Sequence, residues 1–187
     1  MFFFVPLAYD RIQDGQGSGS KARCDSLIKK AEIVATKIKT HERYGITFLS
    51  QAGYTKESRG NPTDKVKTPL CDQIRDYVVS QMPWVVFHSN PQAWGTYEEI
   101  RYTLQQAKNY GQMDKENCFY TSTNLGHSFR VWLCLYFLRT ELKMWKGWKF
   151  RVLIAKQSFT TKEYFQETLK FLGYLNGFIF KGGKIKT

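Results

Sequence analysis

Short apolar runs alternate with longer amphipathic stretches along this chain. Residues 2–8 form a continuous, aromatic-rich apolar run, too short for a typical helix and suited to a strand buried on both faces. A glycine-rich loop over 10–20 follows, and then Leu27, Ile28, Ala31, Val34, Ala35 and Ile38 recur at helical spacing within 21–41. The unit repeats as a strand over 45–50, a polar loop to Lys67, and a helix opening at Thr68-Pro69, where proline is tolerated in the first turn. A third strand over 84–88 leads to a helix over 96–110, and a fourth over 118–122 to a helix carrying the apolar run 131–138. A fifth strand over 148–155 leads to a helix over 160–172.

Five β-then-α units in 187 residues predict an α/β protein, a Rossmann-like three-layer α/β/α domain with a mainly parallel sheet of about five strands. One domain spans 1–180, and 181–187 is a frayed basic tail. Right-handed crossovers bring every strand's C-terminal end to one rim. Ligands of open α/β sheets bind on that rim, where the strand order reverses. The polar residues that follow each strand are therefore the ones to weigh.

After the first strand come Asp10, Gly15, Gly17 and, early in the helix, Arg23. A glycine-rich turn entering a helix offers backbone N–H groups to an anion, and a guanidinium adds a charged fork. A plain surface loop accounts for the glycines equally well, and neither GxGxxG nor a P-loop is present. The second strand ends in Ser50-Gln51-Ala52-Gly53, small enough for close backbone approach or for a tight turn. Thr96 and Glu99 fit a helix-capping box, and Glu98 complements the helix dipole unless it binds a ligand. The densest cluster is Thr123-Asn124-Leu125-Gly126-His127-Ser128-Phe129-Arg130. A helix starting near Asn124 puts His127 and Arg130 on one face of its first turns, where they form an anion site or Arg130 pairs with an acid on a neighbouring helix. His127 is also a candidate general acid or base.

Charge narrows the partners. Lys and Arg number 28 against 16 Asp and Glu, which favours anionic partners without choosing among small molecules, nucleic acid and acidic lipid. Residues 139–187 hold 11 basic and 3 acidic side chains, with Trp145, Trp148, Phe150 and Tyr164 interleaved as in a stacking platform; Trp148 and Phe150, however, fall in the fifth strand, where core packing is their expected role. The four cysteines and three histidines are dispersed, so no metal site or disulfide framework is expected. No stretch approaches the roughly 18 apolar residues of a membrane span, and the N-terminal run lacks a basic flank. The expectation is a reduced, cytoplasmic protein.

The order of these motifs resembles the YdcF/SanA/ElyC-like family of bacterial domains. That family has an apolar first strand, a glycine-containing loop, an early arginine, Ser-Gly-Gly after the second strand, Asn-Thr-x-Glu-Asn opening the third helix, and Thr-Ser-x-x-His-x-x-Arg after the fourth strand. Here the counterparts are Phe3 to Leu7, Asp14-Gly15, Arg23, Ser50 to Gly53, Gly95-Thr96-Tyr97-Glu98-Glu99, and Thr123 to Arg130. Gly95 and Glu99 replace the family's asparagines, and Ser-Gly-Gly is loosened. The resemblance implies a polar pocket on a Rossmann-like rim, with S-adenosylmethionine the candidate cofactor. In the leading reading the chain binds a nucleotide-like or phosphate-bearing small molecule. Gly15, Gly17, Ser50 and Gly53 allow close approach, Asp10, Thr96, Thr123 and Asn124 supply polar contacts, and Arg23, His127 and Arg130 meet the anion. Glu98 binds a ribose hydroxyl or holds Arg130. The alternatives are a phosphoester or pyrophosphate hydrolase or transferase working through His127, Arg130 and Glu98, and a basic nucleic-acid-binding protein.

Overall fold

The computed structural model describes residues 1–8, 19–38, 45–53, 68–111, 116–156 and 161–180, apart from the side chains of 161–164 and 178–180. Its strands are β1 (Phe2–Pro6), β2 (Ile46–Ala52), β3 (Val86–Ala93), β4 (Asn117–Thr123) and β5 (Trp148–Ile154). Its helices are α1 (Gly19–Lys37), α2 (Leu70–Gln81), α3 (Thr96–Tyr110), α4 (Leu125–Glu141) and α5 (Thr161–Phe180), each following the strand of the same number. The sheet is wholly parallel, in the order β3-β2-β1-β4-β5. The protein is an α/β domain of the expected Rossmann-like kind.

The apolar runs explain the order. All of β2 and Phe3 to Pro6 of β1 are buried, as strands covered on both faces must be. On one face the rings of Tyr120, Phe4, Phe48 and Phe87 stack across β4, β1, β2 and β3, with centroids 5.0, 5.1 and 6.1 Å apart. The register puts these residues directly opposite one another. Leu27 and Ala31 of α1 and Ile74 and Val78 of α2 join this face. On the other face Phe3, Val5, Phe119 and Phe150 meet Ile100 and Leu104 of α3 and Val131 and Leu135 of α4. Each buried aromatic or aliphatic side chain stabilises the fold by about 1.5–3 kcal/mol.

Two elements differ from their predicted extents. β3 begins at Val86 and runs through Ser89, Asn90, Pro91 and Gln92 to Ala93, whereas the pattern places a strand over 84–88 and a loop beyond it. It is an edge strand, so Asn90, Pro91 and Gln92 can stand exposed while Ser89 bonds Asp72 of α2, and its proline leaves no ladder partner unsatisfied. α5 runs to Phe180 rather than stopping at Leu172. It passes through Gly173 at a cost of about 1 kcal/mol relative to alanine, while Tyr174, the next residue, packs against the core. Among the described residues no helix is long and apolar enough to cross a membrane.

Candidate functional site

The strand order reverses at β1: β2 and β3 lie to one side of it and β4 and β5 to the other. α1 therefore leaves the rim over one face, α4 over the opposite face, and their first turns meet above the end of β1. Arg23 of α1 is 1% exposed. Its Nη1 donates to the carbonyls of Leu7 at 3.0 Å and Ala8 at 3.3 Å, and its Nη2 lies 3.1 Å from Nδ1 of His127. A guanidinium only donates, so Nδ1 is the acceptor and the imidazole proton sits on Nε2. Desolving a guanidinium is costly, and these three acceptors offset the cost.

Asn124 caps α4: its side chain accepts from the backbone N–H of His127 at 2.9 Å. The cap fixes the first turn, so His127 and Arg130 share one helix face and are both buried. They converge on Glu167 of α5, whose Oε2 is 2.9 Å from His127 Nε2 and 3.1 Å from Arg130 Nη2. Lys170 donates to its Oε1 at 2.8 Å. Oε2 makes no well-aligned hydrogen bond among the described residues, so Arg130 and Lys170 hold the carboxylate more by charge than by direction.

Burial drives the His127 imidazole down to about 4, with Arg130 and Arg23 adding to the effect against the pull of Glu167. The ring is neutral at pH 7, which agrees with its acceptor role toward Arg23. Burial would raise Glu167, yet contact with His127, Lys170 and Arg130 holds it at about 2. Glu99 is the opposite case. Burial pushes its carboxyl up to about 8, although the Ala8 N–H, which donates to Oε1 at 3.1 Å, and the charge of Arg23 both pull the other way.

The structure thus brings Arg23, Asn124, His127 and Arg130 together at the switch point. Thr123 and Ser50 lie at or near the ends of the two strands flanking β1, fully buried, and their hydroxyls have no hydrogen-bond partner among the described residues. Other candidates lie apart. Glu98 accepts from the backbone N–H of Trp94 at 2.7 Å, and the N-cap of α3 is Gly95, with no side-chain cap. The expected Thr96–Glu99 box is therefore replaced by a Glu98 contact, because Glu99 turns inward to Ala8. Gly53 is small for a structural reason: a Cβ there would sit 2.7 Å from the carbonyl oxygen of Ala93, which its own N–H already bonds at 2.9 Å. Thr96 is half-buried on the first turn of α3. Asp10, Gly15 and Gly17 lie outside the described residues.

Sequence reasoning missed Glu99 and Glu167. Glu99 is hidden by its fit to a capping pattern. Glu167 lies on the last helix, well beyond the rim motifs, and its only signal is that it is one of two charged residues between Glu163 and Lys181. Among the described residues no cluster of three metal-ligating side chains occurs. Comparison of the chain with protein-family models, with curated proteins and with solved structures found no match.

Proposed function

We propose that this chain binds an anionic, nucleotide-like or phosphate-bearing small molecule at the C-terminal rim of its sheet. The observation that carries the reading is the seating of a carboxylate, that of Glu167, on His127, Arg130 and Lys170 directly above the switch point. A cluster that holds one carboxylate by charge has the chemistry to hold a carboxylate or phosphate brought from outside. The hydrogen-bonding groups beside it support the same reading: Ser50 Oγ, Thr123 Oγ1 and Arg130 Nε are buried without a hydrogen-bond partner among the described residues, an arrangement that favours a polar occupant.

S-adenosylmethionine, the candidate suggested by the family resemblance, fits in part. Its carboxylate suits Arg130 and His127, and its ribose hydroxyls suit Ser50 and Thr123. Its sulfonium carries the wrong charge for the guanidiniums and belongs away from them. In this reading His127 is a binding group. With Nδ1 committed to Arg23, proton transfer by that nitrogen would require the pair to separate.

Calorimetric titration with S-adenosylmethionine, nucleoside mono- and diphosphates and inorganic phosphate tests the proposal. The expected result is binding by one of them that Ser50→Ala and Thr123→Val each weaken several-fold. Those variants should keep or slightly gain stability, because each removes a buried hydroxyl with no partner among the described residues. Absence of any response from the unaltered protein, or equal binding by both variants, overturns the reading.

A further inference from the structure

On α4, Leu125, Phe129, Trp132 and Tyr136 are all exposed and recur at the i, i+4, i+7, i+11 spacing of a single stripe. On α5, Phe165, Leu169 and Leu172 are exposed at i, i+4, i+7. Phe129 and Phe165 are each 66% exposed. Phe129 meets Phe171 edge to face at 6.5 Å, so the two helices join and their outward stripes belong to one surface. Single exposed apolar residues need no explanation, but two adjoining stripes form a patch, and patches of this kind mark interaction sites.

The charges around the patch identify what covers it. Lys143, Trp145 and Lys146 are exposed just beyond α4, and Arg139 lies over the Trp145 ring at 3.8 Å. Lys170 is half-exposed on α5. The acidic neighbours whose side chains are described are already engaged, Glu141 with Arg101 and Glu167 with His127, Arg130 and Lys170. In the sequence, 171–180 holds no charged residue, and Lys181, Lys184 and Lys186 come next. An apolar surface with tryptophan and tyrosine, bordered by the exposed Lys143 and Lys146, which pair with no described acid, has the composition of a helix pair lying in a lipid–water interface. A second copy of the chain is the poorer partner, because face-to-face pairing would set like charges against each other.

From this complementarity we infer that the α4–α5 face docks on an anionic bilayer surface, without crossing it. Aromatic side chains enter the headgroup region, and lysines add attraction of about 1 kcal/mol each near such a surface.

Vesicle co-sedimentation of the whole chain tests this, comparing phosphatidylcholine alone with phosphatidylcholine containing phosphatidylglycerol. Binding is expected only to the anionic vesicles, with a blue shift of tryptophan emission and loss in high salt. The double variant Phe129→Ser/Phe165→Ser should weaken it by roughly tenfold or more. The double variant Lys143→Gln/Lys146→Gln should weaken it several-fold. All four positions are exposed, and thermal melting should show both variants folded. Absence of binding by the unaltered protein, equal binding to neutral vesicles, or full binding by the aromatic double variant overturns the inference. So does a concentration-dependent dimer that the aromatic variant abolishes, or salt-sensitive retention of an RNA probe in place of vesicle binding.

Discussion

Nη2 of Arg23 and Nδ1 of His127 meet at 3.1 Å above the end of β1, and that contact ties a helix on one face of the sheet to a helix on the other. Arg23→Met leaves Nδ1 and the carbonyls of Leu7 and Ala8 without this donor. Leaving a buried acceptor without its donor costs about 1–3 kcal/mol, so thermal melting should fall by roughly 2–12 °C or more. Arg23→Lys keeps the charge but loses the planar fork, and should melt between the two. A melting point for Arg23→Met equal to the unaltered protein's would mean that this bridge does not hold the rim together.

Glu99 makes the fold sensitive to alkali. Its carboxyl is raised from 4.5 to about 8, so between those values the unfolded chain gives up a proton that the folded chain keeps. Its contribution is complete below about pH 4.5 and is lost as pH rises through about 8. Glu99→Gln keeps the acceptor for the Ala8 N–H and removes the titration. Denaturant melts across pH 5–9 should slope downward less steeply in the variant; parallel slopes would place the alkaline sensitivity elsewhere.

Glu167 acts in the opposite direction. Its carboxyl is lowered from 4.5 to about 2, so its stabilisation is present above about pH 4.5 and fades toward pH 2. His127, lowered from 6.5 to about 4, adds a loss of stability as pH falls between those values. Glu167→Gln should cost about 3–5 kcal/mol near neutrality, since Arg130 loses a buried partner. The gap between the variant and the unaltered protein should narrow below about pH 4.5. A gap that stays constant to acid pH would show that the carboxylate's charge is not what matters.

The fold was legible because its signals are local and redundant. β1 is a continuous apolar run, Phe2 to Pro6, β2 carries Ile46, Phe48 and Leu49, and each strand is followed by a helical period. Ser89 to Gln92 were not legible as strand, because an edge position lets polar side chains and a proline satisfy the strand geometry. At the rim, His127 and Arg130 stand out because they sit in the first turns of the helix directly after β4, and Arg23 because it comes early in the helix after β1. Glu167 could not be found the same way. Its place beside His127 depends on how α5 packs against α4, a relationship between distant segments that no local pattern encodes.

Two glycines show how the same substitution should act with opposite sign. At Gly53 an added Cβ would lie 2.7 Å from the backbone oxygen of Ala93, and a backbone atom in a hydrogen-bonded strand cannot move aside cheaply. Gly53→Ala should destabilise by about 1–3 kcal/mol through forced separation of β2 and β3. At Gly173, inside α5, a Cβ would meet nothing within 4 Å. Gly173→Ala should stabilise by up to about 1 kcal/mol, because alanine loses less backbone freedom in a helix. Equilibrium unfolding of both variants checks the pair. If Gly53→Ala were neutral in stability yet weakened anion binding, the glycine would owe its place to a ligand after all, and the backbone of β3 would not be what demands it.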